Sequence, residues 1–295
     1  MKGTSPIDAE WLAAHPLPIH AAGTDKNGRG RVLLAGGAEF VPGALRLTGE
    51  AVLRAGAGKL QMATVATAAM ALGVLIPEAA MIALPADASG EIAADAADIL
   101  FDAVTRCDTL VIGPGMSEQP GTADLVRRVL DEPREGLTIV LDAAALSSAG
   151  DLADVIRRHE GRVVLTPHHG EMAALTGMDA SRIADDPLAV AGDTAQRFRA
   201  IVVLKSHATV VAGPDGFALE YSSDCVGLAT GGSGDLLAGV IGGLMARGTA
   251  PLTAAAWGVW LHGEAGRAAA SRIGPIGFLA RDLLEDIPQL MTVRS

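Results

Sequence analysis

The stretch Gly227-Leu-Ala-Thr-Gly-Gly-Ser-Gly-Asp235 runs directly into Leu-Leu-Ala-Gly-Val-Ile-Gly-Gly-Leu-Met-Ala-Arg247. Three of the four residues from Gly231 to Gly234 are glycine, so the backbone there can take positive φ and turn its N–H groups inward. Leu236, Leu237, Val240, Ile241 and Leu244 then recur at helical spacing, which predicts a helix beginning at the turn with an apolar face beneath it. Free N–H groups and the positive end of a helix dipole converge on one point, which suits an anion and above all a phosphate. Asp235 falls in the first turn, where a carboxylate is favoured and is expected to stay ionised, ready to accept a proton. A Gly-rich loop with an aspartate cap fits the same stretch. Against that, Gly239, Gly242 and Gly243 lie inside the helix, each costing about 1 kcal/mol relative to Ala, so something must pack very close. No Lys follows the glycines as in a P-loop, and the dinucleotide-binding spacing is absent.

Upstream, short apolar runs predict strands at Arg31–Ala35, Lys59–Val65, Met81–Leu84, Thr109–Ile112, Thr138–Asp142, Arg162–Thr166, Ile201–Lys205 and Thr209–Ala212. Helical stretches separate most of them, among them Pro42–Leu53, Gly121–Leu130 and Asp186–Arg199. Strands apolar throughout and alternating with helices predict an α/β fold with a mostly parallel sheet covered on both faces. Ligands of such sheets sit outside the carboxyl ends of the strands. That rule gathers Gly36, Gly37, Gly113-Pro-Gly115, Asp142, Thr166-Pro-His168, Lys205 and the Gly231–Asp235 turn into one candidate site. The last 45 or so residues read as helical, from Leu252 to Ser271 and from Phe278 to Leu290.

Composition narrows the function classes. The net charge of -11 disfavours a nucleic-acid or membrane surface, which would want a basic patch. An anionic ligand must then be held by backbone N–H groups and a few placed cations. Met1 to His20 carries Asp8, Glu10 and two prolines where a signal peptide would have a basic start and an apolar middle, so a cytoplasmic location is expected. Cys107 and Cys225 are isolated in sequence, which indicates neither a disulfide framework nor a cysteine metal site.

Five segments in order carry a resemblance: Lys26–Ala57, Gly113-Pro-Gly115, Thr166-Pro-His-His-Gly-Glu171, Val203-Leu-Lys-Ser-His-Ala-Thr209 and Gly227–Gly248. Together they resemble the ADP-dependent NAD(P)H-hydrate dehydratases of the ribokinase-like superfamily. The likeness spans roughly residues 24–284 and leaves no stretch for the epimerase module that often accompanies the family. It implies a ribokinase-like catalytic domain over residues 24–295, preceded by an N-terminal extension at 1–23. The implied reaction returns the S-form of NADH or NADPH hydrate to NAD(P)H while ADP is split to AMP and phosphate.

By that resemblance Asp235 is the base, with Gly232, Ser233 and Gly234 as the anion hole. Ala44, Gly115, His168 and Asp235 would contact the hydrate, and Lys205, Ser206, His207, Ala208, Thr209 and Gly234 the nucleotide. Mg2+, ADP as co-substrate and K+ are implied, as is a homo-oligomer, a tetramer by family analogy, with no nucleic-acid or membrane partner. Glu171 would assist Mg2+ through water. Each residue has a plainer reading as well: Lys205 a snorkelling surface lysine, His168 a turn residue, Glu171 a helix-start carboxylate, Ala44 a small packing residue, Gly115 a turn glycine. Taken alone, the other histidines, His15, His20, His159, His169, His207 and His262, read as structural or solvent-exposed, and Trp257 and Trp260 as core. Two departures from the family pattern matter. Ala144 stands where a second acidic residue is usual, and Ser206 replaces a glycine, so its Cβ is expected to crowd the nucleotide.

Overall fold

The structure, a computed structural model, describes residues 4–292. Its ten strands are β1 Thr4–Pro6, β2 Arg31–Ala35, β3 Lys59–Val65, β4 Ala79–Leu84, β5 Thr109–Ile112, β6 Thr138–Leu141, β7 Val163–Leu165, β8 Ile201–Leu204, β9 Ala208–Ala212 and β10 Ala218–Ser222. They form one sheet in the order β1-β10-β9-β8-β7-β6-β5-β2-β3-β4. From β2 to β8 all neighbours are parallel, whereas β9 runs antiparallel to both β8 and β10. This is the α/β architecture with helices on both faces that the sequence predicts.

Alternation along the strands divides the core in two. Val32 and Leu34 of β2 join one apolar cluster, while Leu33 and Ala35 join another on the opposite face. The central strands β5 to β8 are buried on both faces, which is why they read as unbroken aliphatic runs.

The interior glycines of the helix Ser233–Ala246 mark where it is approached most closely. A Cβ on Gly239 would lie 2.3 Å from the Thr48 carbonyl oxygen, and one on Gly243 2.5 Å from that of Val52. Both neighbours belong to the helix Pro42–Arg54, so two helix backbones touch here without side chains between them. A Cβ on Gly242 would meet Val111 of β5 at 2.4 Å. The glycines that weaken the helix locally are what let it lie against both the sheet and its partner helix.

Three features depart from or add to the sequence reading. The expected helix Phe278–Leu290 is two short pieces, Ala280–Leu283 and Ile287–Leu290. Asp282 turns back to accept from Leu279 N at 2.7 Å, and Pro288 has no N–H with which to continue a helix. Strand β10 follows a Gly213-Pro-Asp-Gly216 turn in which Gly216 has a φ of 83° and Gly213 N donates to Phe217 O at 2.8 Å. Strand β1 pairs in parallel with β10, and downstream the carbonyls of His15 and Pro18 accept from Trp257 Nε1 and Arg247. Trp257 is buried, as expected. Among the described residues no helix is long and apolar enough to cross a membrane.

Candidate active site

The strand-end residues converge as the parallel topology requires. Thr166, after β7, donates through Oγ1 to Asp142 Oδ1 at 2.6 Å, after β6. Lys205, after β8, donates its backbone N–H to Pro167 O at 2.8 Å, and its Nζ lies 3.1 Å from Asp142 Oδ1 and 3.4 Å from Glu171 Oε2. A Cβ on Gly234 would lie 3.4 Å from Lys205 Nζ, which brings the glycine turn to the same place.

The turn itself is open to a ligand. Gly232 is the N-cap of the helix Ser233–Ala246, with a φ of 87°, and no side chain caps that end. Ser233 N donates to Thr230 O at 3.3 Å, and Leu236 N makes the first helical bond to Gly232 O at 3.0 Å. Between them lie Gly234 and Asp235, whose N–H groups have no carbonyl one helical turn earlier to bond. The φ of Gly232 favours glycine by conformation, and a Cβ there would lie 2.3 Å from Leu47 Cδ1, so that side chain would have to move.

Electrostatics qualifies the expectation that Asp235 is ionised without overturning it. Burial, the largest influence, pushes its carboxyl up to about 6, with the Asp142 and Glu171 carboxylates adding and Lys205 opposing. The helix start therefore does not hold Asp235 as a strong acid. A carboxyl raised to about 6 is still mostly ionised at neutral pH, in the range that suits a general base. Burial alone would lower the Lys205 pKa, but Asp142 and Glu171 outweigh it and the net shift is upward. Lys205 is thus a paired, fixed cation rather than a snorkelling surface group.

His168 and Glu171 satisfy their plain readings without being used up. His168 caps the helix His169–Thr176, its Nδ1 accepting from Gly170 N at 2.9 Å and Glu171 N at 3.2 Å, while its own N–H donates to Glu171 Oε2 at 2.8 Å. With Nδ1 an acceptor, the neutral ring carries its proton on Nε2, and His168 also lines the main cavity. Glu171 Oε1 stands 3.6 Å from that Nε2.

That cavity, of 840 Å³, opens beside the turn and is walled by His168, Lys205, Ser206, His207, Thr209, Ser233 and Gly234 together with Tyr221, Leu228, Leu237, Val259 and His262. Most of the predicted nucleotide residues therefore meet in one space. Ala208 is the exception: it does not line the cavity, and its N–H and C=O are both bonded to Ser206 Oγ within the loop. Ser206 lines the cavity, and its Oγ is turned back onto that loop. Ala44 and Gly115 lie elsewhere: a Cβ on Gly115 would be 3.0 Å from that of Ala44, at the start of the helix whose Leu47 packs on Gly232. Ala144 is buried beside Asp142 in the short helix Ala143–Ser147. His262, read from sequence as structural or solvent-exposed, is half-buried. It lines the cavity with Nε2 2.7 Å from Ser233 Oγ, and nothing in its spacing announces this.

Among the described residues no group of three or more His, Cys, Asp and Glu side chains could hold a metal ion. Asp142 and Glu171 both face the Lys205 ammonium, so the donor set offers no cage of its own. It fits Mg2+ only in the manner of a nucleotide-borne ion, with phosphate oxygens and waters as most of the ligands.

The sequence profile of the NAD(P)H-hydrate dehydratase family matches residues 32–289. The chain is 46% identical over 286 residues to the ADP-dependent (S)-NAD(P)H-hydrate dehydratase of Xanthomonas campestris, covering 97% of this chain and 95% of that protein. It is 39% identical to the bifunctional NAD(P)H-hydrate repair enzyme of Moorella thermoacetica, again over 97% of this chain but spanning only 53% of that relative. The ADP/ATP-dependent NAD(P)H-hydrate dehydratase of Bacillus subtilis, co-crystallised with ATP and Mg2+, superposes with a TM-score of 0.84 at 28% identity, covering 98% of both chains. A family profile spanning most of the sequence and a relative 46% identical along nearly the whole of both chains place this chain in the NAD(P)H-hydrate dehydratase family, with its ribokinase-like fold.

Proposed function

We infer that this protein dehydrates the S-form of NADH and NADPH hydrate with ADP as co-substrate, giving NAD(P)H, AMP and phosphate. The observation that carries the reading is the uncapped helix start at Gly232–Asp235, which joins free amides to a carboxylate whose pKa is pushed up to about 6. Asp235 takes the proton of the ring hydroxyl, and the oxygen attacks the terminal phosphoryl group of ADP as AMP leaves. The Gly234 and Asp235 amides and the Lys205 ammonium face the charge that builds on the phosphoryl oxygens. The carbon–oxygen bond then breaks with its electrons going to phosphate. A proton lost from the neighbouring carbon restores the ring double bond.

Mg2+ would arrive with the nucleotide, held on the protein side by Glu171 through water, and would neutralise phosphate charge. The cavity lined by Lys205, Ser206, His207 and Thr209 takes the nucleotide. Ala44, Gly115 and the Nε2 of His168 take the hydrate across the turn. Purified protein given NADH hydrate, ADP and Mg2+ is expected to restore nicotinamide absorbance. Failure with both ADP and ATP, alongside phosphorylation of a hydroxymethylpyrimidine, a hydroxyethylthiazole or a sugar, would replace this reading with a small-molecule kinase. Nucleotide binding without turnover of any of these would leave a non-catalytic binder.

A further inference from the structure

His262 reaches the anion-binding turn from a separate helix, Pro251–Ile273. Its Nε2 lies 2.7 Å from Oγ of Ser233, the first residue of the helix Ser233–Ala246. Ser233 is buried, so its hydroxyl needs a partner. A serine hydroxyl can bond the backbone N–H two residues ahead, and in the first turn of a helix that N–H has no backbone partner. At this position that group is the N–H of Asp235, one of the two amides left open for a ligand. The imidazole draws the hydroxyl aside instead, into the wall of the 840 Å³ cavity.

The packing around His262 is built for this reach. A Cβ on Gly258 would lie 2.6 Å from Ile241 Cγ1, so the two helices touch one turn before the histidine. A Cβ on Gly263 would lie 2.2 Å from Tyr221 Cε1, which seats the helix against β10. Burial also pushes the His262 pKa down to about 4, with Lys205 adding and the Ser233 contact opposing. The ring is therefore neutral at working pH and brings no second cation to compete with Lys205.

We propose that His262 is a positioning residue: its bond to Ser233 Oγ keeps that hydroxyl off the Asp235 amide and so leaves the turn free for a phosphoryl group. The role rests on the assignment of the turn to phosphoryl transfer made above, and nothing in it requires His262 to touch substrate.

The test compares His262→Ala, His262→Gln and the pair His262→Ala with Ser233→Ala, reading kcat, KM for ADP, melting temperature and amide hydrogen exchange at Asp235. His262→Ala is expected to lower kcat about tenfold and to slow exchange at Asp235 several-fold as the freed hydroxyl captures that amide. Glutamine, which can place a polar atom near the same point, should restore both. Removing the Ser233 hydroxyl in the His262→Ala background should recover kcat at least threefold and return exchange to the native rate. A purely structural histidine would instead lower the melting temperature in every variant, with no recovery in the pair, and that result overturns the proposal, as does a native kcat in His262→Ala. Should His262→Ala not fold, His262→Leu fills the space without a polar atom and takes its place. If the native protein is inert toward NADH hydrate, the proposed function fails, and exchange at Asp235 still decides the role of His262.

Discussion

The ammonium of Lys205 lies 3.1 Å from Oδ1 of Asp142, a residue 63 positions earlier in the chain, and both side chains are largely out of solvent. The pair ties the end of β8 to the end of β6 directly below the glycine turn. Removing one member of a buried pair leaves an uncompensated charge, at a cost of about 3–5 kcal/mol. Glu171 remains as a second partner 3.4 Å from Lys205 and softens that loss. Asp142→Asn is therefore expected to destabilise the protein by about 2 kcal/mol, measured by denaturant unfolding.

The same pair sets the pH response. Asp142 pushes the Asp235 carboxyl up and Lys205 pulls it down, with burial the larger cause of its rise to about 6. Turnover needs the ionised base, so kcat/KM should fall as pH drops through about 6. In Asp142→Asn this acid limb should move to lower pH, and in Lys205→Met to higher pH. Identical limbs in all three proteins would show that another group controls the profile.

Asp235→Asn is expected to abolish most turnover while leaving ADP affinity close to native, since the base acts in the transition state more than in the ground state. It should also stabilise the fold above pH 6. The folded protein holds the Asp235 proton up to about 6, against 3.8 ordinarily, so folding takes up a proton within that window and ionised Asp235 lowers stability above it. The full shift corresponds to about 3 kcal/mol, and solvent on its open side reduces this to roughly 1–2 kcal/mol. Thermal melts at pH 8 should favour the variant, and the difference should vanish below about pH 4.

The helix glycines give a third kind of prediction. Gly239→Ala gains about 1 kcal/mol in helix propensity but drives a Cβ to within 2.3 Å of the Thr48 carbonyl oxygen. Overpacking of this sort costs about 1–3 kcal/mol and usually more where backbone is struck, so net destabilisation is expected on melting. Gly231→Ala, with nothing within 4 Å of the added Cβ, should melt within a degree or two of the native protein.

Much of this molecule is written locally. The aliphatic runs of β5 to β8 announce a parallel sheet buried on both faces, because only strands covered on both sides can dispense with polar alternation. Gly239, Gly242 and Gly243 announce a close neighbour, because a helix does not carry three glycines without one. The order of strand ends, from Gly36 to Lys205, then places the site, since parallel topology brings those ends to one edge.

Other features depend on groups far apart in sequence. Strand β1 has three residues and gains its partner only when β10 is already in place. The Asp235 pKa rises because folding removes water and sets Asp142 and Glu171 nearby, whereas the first turn of a helix taken alone would lower it. His262 meets Ser233 across 29 residues and two helices, a distance at which no spacing rule operates. Sequence by itself determined the layers, the glycine turn and the identity of the groups around it, because these follow from backbone conformation and periodicity. Tertiary structure decided their charge states and pairings, because desolvation and Coulomb attraction act through space and depend on which groups the fold brings within a few ångströms.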